Sequence, residues 1–209
     1  MCNKTPDIFG LLKAIEQLNR YLVDASSSIQ LTDVAKILDS GSSSEKIAVL
    51  ESLIHADDMH TIQKIILMLD DADIAVTGEA FSSLMLNDNN ISKYLIDALY
   101  SESKNVRAHA SLILANRKEH TAIRDIARLA GDRHPAVRAC ALGALGHLKA
   151  QGMGTAIRTC LTDPDMEVRK SAIKAAIDTG EHLSEDVIQE LLLQKDPEIK
   201  RLITHARQM

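Results

Sequence analysis

Three sets of residues have the types and spacing that could do chemistry. The first is a set of metal-ligand side chains. His55, Asp57, Asp58 and His60 crowd into "HADDMH", and the dipeptides Glu119-His120 and Glu181-His182 follow. Imidazole and carboxylate are good ligands for first-row metals. The second set is cationic. Arg107, Arg138, Arg169, Lys170, Lys174, Lys200 and Arg201 form a basic series that could meet carboxylates or phosphates. The third is "QGMGTA", where Gly152 and Gly154 could approach a phosphate at a helix start. No GxGxxG, Walker loop, HExxH or nucleophile elbow accompanies them. The two glycines read better as a helix terminator and a turn.

The spacing of these residues follows a larger pattern. Val106-Arg107, Val137-Arg138, Val168-Arg169 and Ile199-Lys200 recur at intervals of 31 residues. Four residues after each Val or Ile stand Ala110, Ala141, Ala172 and Ile203, and seven after stand Ile113, Ala144 and Ala175. Offsets of 0, 4 and 7 make one stripe of an α-helix. A second column, Leu95, Ile126, Ile157 and Ile188, keeps the same interval. Each unit therefore holds two short amphipathic helices.

The turn between the two helices repeats as well. Its N-cap column reads Ser103, His134, Asp165 and Asp196, and Pro135 and Pro197 fall at the first helical position. Upstream the pattern loses one residue around Val76, Ala80 and Leu84, and Ser42 with Glu45 forms a capping box. The reading is six helix pairs, at about 31–55, 58–86, 90–116, 119–148, 152–180 and 183–207, with a leading helix at about 7–24 closing residues 1–30. The whole of 1–209 is expected to be one domain.

Units of this size cannot bury their apolar stripes alone. Stacked, each covers its neighbour. Ala139, Ala141, Gly143, Ala144 and Gly146 then let successive helices approach closely. Six units at roughly 8–10 Å each would run about 50–60 Å. Asp132 and Asp163 each stand six residues before Arg138 and Arg169. A carboxylate there can bond an arginine of its own repeat or the next, giving a ladder that holds register.

Composition agrees with packed helices. Aromatic residues are only 2% of a chain that is 45% hydrophobic, so the core must be Ala, Leu, Ile and Val. The three cysteines, Cys2, Cys140 and Cys160, have no CxxC spacing, which fits a reducing cytoplasm. The N-terminus has no apolar leader, and no run approaches 18 apolar residues, so neither a signal peptide nor a membrane span is expected. The net charge of −5 is uneven: residues 1–100 carry 7 Lys/Arg against 15 Asp/Glu, and 101–209 carry 17 against 14. Such asymmetry can orient a charged partner.

Asp132–Ala144 and Asp163–Ala175 share the pattern D-x-x-x-x-V-R-x-x-A-x-x-A. This resembles the HEAT repeat, and the 31-residue interval resembles its short prokaryotic subtype, the PBS-lyase HEAT-like repeat. The resemblance is firm over 101–201, weaker over 42–100 and absent over 1–30. It implies an all-α, right-handed α-solenoid with the Val-Arg helices on a concave, protein-binding face. It also implies that the Asp–Arg ladder is structural.

The resemblance opens enzymatic readings too. The HEAT-like deoxyhypusine hydroxylase holds iron with His-Glu dipeptides. Here the order is Glu-His and only two pairs occur, in turns roughly 20 Å apart, too far to share a metal. A bilin-lyase subunit is a fold-level analogy with no pocket to mark it. Nucleic-acid binding through a basic groove is opposed by the acidic pI of about 5.9 and by the lack of stacking aromatics in the basic stretch.

The expectation is a non-enzymatic scaffold with no cofactor and no metal, binding a protein partner through Arg107, Arg138, Leu142, Arg169, Lys170, Ile173, Lys174 and Arg201. The candidate outward rows are Ala108, Ala139, Lys170 and Arg201, and Ser111, Leu142, Ile173 and Thr204, with Leu142 and Ile173 either forming a small apolar patch or, the favoured alternative, wedged between neighbouring helices. Nucleic acid and membrane are not expected partners. The last helix is expected to leave Ile199, Leu202, Ile203 and Ala206 as an apolar edge that could support weak self-association.

Overall fold

A computed structural model describes residues 33–193 and 195–207, so the leading helix expected at 7–24 lies outside the described residues. Twelve α-helices and no strand are present among them. They pair in chain order: α1 (33–40) with α2 (Ser43–Ser52), α3 (Met59–Leu67) with α4 (Ile74–Leu86), and α5 (Ser92–Ala98) with α6 (Lys104–Asn116). Next come α7 (Ile123–Arg128) with α8 (Pro135–His147), α9 (Gly154–Thr159) with α10 (Met166–Thr179), and α11 (Glu185–Leu193) with α12 (Pro197–Ala206). The architecture is an α-solenoid.

The first helix of several units is shorter than the stripe suggests. α7 and α9 have six residues each, and α3 has nine. All three run straight into a 3₁₀ turn, at Leu129–Gly131, Cys160–Thr162 and Met68–Asp70. The tighter winding carries Leu69, Leu129 and Leu161 into the core while turning the chain toward the next helix.

The second helices begin on side-chain caps. Ser103 accepts from the backbone N–H of Asn105 and Val106, Asp165 from Glu167 and Val168, and Asp196 from Glu198 and Ile199. Ser42 and Glu45 close a capping box on α2. His134 gives α8 no side-chain cap.

Both repeating columns are interior. Leu95, Ile126, Ile157 and Ile188 are buried, as are Val106, Val137, Val168 and Ile199. Second helices α6, α8 and α10 lie against one another along their lengths, whereas first helices α5, α7 and α9 touch little. The second helices therefore make the continuous contact from unit to unit.

Small residues permit that closeness. A Cβ built on Gly146 would lie 2.9 Å from Asp178 Oδ2 and 3.2 Å from Ala175 Cα, on the facing helix. Gly143, three residues earlier, would meet nothing within 4 Å. The two glycines of one helix thus have opposite roles. Gly143→Ala should raise stability by up to about 1 kcal/mol through helix propensity. Gly146→Ala should lower it by about 1 kcal/mol, because α8 and α10 must part. Urea denaturation of the two variants checks the opposite signs.

Candidate interaction surface

The turns carry the ladder. Arg107 donates through Nε and Nη2 to Asp132 at 2.8 and 3.0 Å, and Arg138 likewise to Asp163 at 2.7 and 2.7 Å. Each carboxylate also accepts from its own turn: Asp132 from His134 N–H, and Asp163 from Asp165 N–H, both at 2.9 Å. Each arginine turns its remaining nitrogen to backbone carbonyls six residues back. Arg107 Nη1 reaches Ser101 O, Arg138 Nη1 reaches Asp132 O and Arg169 Nη1 reaches Asp163 O, at 2.8, 2.8 and 2.6 Å. One side chain thereby holds its own turn and the next.

The sequence pattern left open whether an aspartate bonds its own repeat's arginine or a neighbour's. The geometry decides: the carboxylate takes the arginine of the preceding repeat, 25 residues earlier. A rung that the sequence reading missed stands upstream. Lys46 occupies the arginine position of α2 and meets Asp71, also 25 residues on, at 2.6 Å.

Burial alone would push Asp132 and Asp163 up. The hydrogen bonds from Arg107 and Arg138, with the turn N–H groups and the nearby guanidinium charges, outweigh it and hold both carboxyls below the ordinary range. For Asp71 the Lys46 hydrogen bond is the largest cause of the same downward shift.

The ladder accounts for much of the basic series. Arg107 is buried, and the Arg138 side chain is 13% exposed. Arg169 is bound to the carbonyls of Asp163 and Pro164. Lys170 is 12% exposed and surrounded by Glu167, Asp196 and Glu198 at 3.2, 3.6 and 3.1 Å. Glu198 and then Glu167 raise its ammonium far above the ordinary lysine value. Arg107, Arg138 and Lys170 are therefore corrected as partner contacts, because internal carboxylates already occupy them. Lys174, 3.1 Å from Glu198, remains exposed, as does Arg201.

For Leu142 and Ile173 the wedged alternative holds, so they too drop out as partner contacts. Both are fully buried, as is Ser111. An internal second helix has neighbours on both flanks, and Leu142 and Ile173 join the same apolar cluster as Val168 and Ala172. The open row lies one residue further along the helix, about 100° around its axis. Ser82 and Leu112 are half-buried there, while Gly143 and Lys174 are exposed. A second row, Leu86, Asn116, His147 and Asp178, is exposed throughout. The periodicity alone could not distinguish adjacent offsets.

The Glu-His dipeptides also find roles. Glu119 accepts from Ser92 Oγ at 2.5 Å, at the start of α5. Glu181 accepts from Arg158 at 2.8 Å and covers the start of α9, where a Cβ on Gly154 would come within 2.2 Å of its carboxylate. The two glutamates stand 27 residues after the helix starts they cover and join successive units. In "HADDMH", Asp58 caps α3 through Thr61 N–H, and His55 Nδ1 lies 3.3 Å from Asp88. Among the described residues no group of three His, Cys, Asp or Glu is placed to hold a metal ion. Burial raises the thiols of Cys140 and Cys160.

The end helix differs from expectation. Ile199 and Ile203 of α12 are buried, and Leu202 and Ala206 are half-buried. The outer side of α12 carries the exposed Lys200, Arg201, Thr204 and His205. The apolar edge expected to support self-association is turned inward. No helix among the described residues is long and apolar enough to cross a membrane.

Residues 92–156 match the model of the HEAT repeats family. Over that stretch the chain carries HEAT repeats. No curated protein matches the sequence. Solved structures share the fold at low identity. A designed armadillo repeat protein is 18% identical with a TM-score of 0.54, over 83% of this chain and 97% of that one. The complex of CpcE and CpcF of phycocyanin lyase from Nostoc sp. PCC7120 is 19% identical with a TM-score of 0.53, over 81% and 72%. A designed armadillo repeat protein in complex with the peptide (KR)4 is 18% identical with a TM-score of 0.53, over 84% and 97%.

Breaking a ladder rung leaves a buried guanidinium uncompensated. Asp163→Asn should cost about 3 kcal/mol. Because the folded-state carboxyls of Asp132 and Asp163 are depressed, their stabilisation is present above about pH 4 and is lost as the pH falls below it. The double variant Asp132→Asn, Asp163→Asn should be less stable at neutral pH and lose less on acidification than the parent. Thermal unfolding across pH 2.5 to 7 measures both.

Proposed function

We propose that this HEAT-repeat chain is a non-enzymatic protein-interaction module whose partner lies across the second helices. One observation carries the reading. Leu112, Gly143 and Lys174 form an open row over three consecutive repeats, while most of the repeat arginines are tied into the stack. The row changes character along its length. It begins with the hydroxyl of Ser82, passes an aliphatic side chain and a bare backbone, and ends with an ammonium group. An extended segment or a helix of the partner can approach the backbone closely at Gly143.

Rigid presentation is the mechanism. The ladder and caps order the surface before binding, so little conformational entropy is lost on association. Two neighbours support a binding role by analogy: one is a designed repeat protein in complex with a peptide, and one is a subunit complex of a lyase. The reading extends to a protein without its own reaction centre.

Gly143→Arg tests the surface. The site has open space for a side chain, and arginine is a better helix former than glycine, so the variant should fold with unchanged or higher stability. Proteins captured from native extract by the parent chain should be lost to Gly143→Arg and kept by Arg124→Glu, an exposed position on a first helix. Identical captures by all three chains would overturn the proposal.

A further inference from the structure

Among the described residues, the α4–α6 junction has no charged pair at the rung positions. At the arginine position α4 has Thr77, and at the aspartate position the following turn has Ser101. Thr77 Oγ1 still donates to Asp71 O at 3.3 Å, as the arginines do to their own turns, but it reaches no further. The remaining ties at this end are single bonds. Asn105 Nδ2 donates to Asp70 Oδ1 at 2.7 Å on the exposed surface, and His109 Nδ1 lies 3.2 Å from Leu69 O.

The two helices are also held apart. Phe81 of α4 meets the His109 ring edge-on at 6.1 Å. The equivalent pair between α6 and α8 is Ser111 with Cys140. Small side chains bring α6 and α8 together along their lengths, whereas α4 and α6 touch over a much shorter stretch. Contact between α10 and α12 is also short, but there Lys170 bridges to Asp196 and Glu198.

The far end of the same junction is fastened. Arg117, just past α6, donates to Leu84 O, Asn87 O and Asn89 O around the end of α4. Between the two ends the contact is apolar, with Leu84, Ile113 and Leu114 in one core. Apolar contact is non-directional and tolerates rolling, whereas a buried bidentate ion pair fixes orientation.

We propose that the α4–α6 junction is a built-in joint. The segment 33–86 rolls on the remainder of the stack about the Arg117 end, the turn bearing Ser101 opens, and α4, losing that cover, unwinds while the later repeats stay folded. The acid-rich part of the chain, with Ser82, thereby moves relative to the repeats that present Leu112, Gly143 and Lys174.

Native-state hydrogen exchange on the full chain, at graded urea below the unfolding transition, tests this. Amides of α4 should exchange through an opening that leaves α8 and α10 protected. Closing the joint should suppress that opening. Aspartate suits position 101, because Ser101 Oγ already accepts from Ser103 N–H as the ladder aspartates accept in their own turns. In Thr77→Arg, Ser101→Asp the α4 opening should slow at least tenfold. If α4, α8 and α10 amides of the parent chain open together with one urea dependence, there is no joint. If the folded double variant exchanges as the parent does, the missing rung is not its cause. The parent profile decides the matter alone should the double variant fail to fold.

Discussion

A two-helix unit of this size has an apolar stripe that only another such unit can cover. The rest of the structure depends on that constraint. It requires the interval to be regular, since each repeat must present the next with the same groove. It requires small residues where second helices meet, as at Gly146 against Ala175. It also requires something directional to set the angle between units, because apolar contact by itself does not choose one.

The turns supply the direction. In each full rung one carboxylate binds the preceding repeat's arginine with two hydrogen bonds and caps its own turn with a third. The same arginine ties its own turn through a carbonyl. The geometry exacts a consequence for function. Cations that look available in a linear reading are consumed internally, and the basic stretch is far less basic at its surface than its composition implies. What stays open on the second helices is a row of mixed, mostly uncharged side chains that includes the bare backbone at Gly143.

The stack is not uniform, and its departures are where individuality enters. Lys46 replaces arginine in one rung, and Lys170 with Asp196 and Glu198 provides a different tie at the last junction. Thr77 and Ser101 provide none, and an aromatic pair fills the space. The same residue columns thus set how each pair of units is tied as well as how it packs.

The sequence alone determined the architecture: the 31-residue interval, the two apolar columns, the cap residues Ser103, Asp165 and Asp196, and the kinship of the Asp and Arg positions. These are local or strictly periodic properties, and periodicity survives projection onto one dimension. Tertiary structure decided which arginine each aspartate takes, that Leu142 and Ile173 face inward, and that the open row runs through Gly143. It also decided that Glu119 and Glu181 close helix starts of the preceding units. Each of these depends on how far one helix is rotated and displaced against its neighbour. A shift of one residue turns a side chain by about 100°, and only the packed neighbours fix that angle.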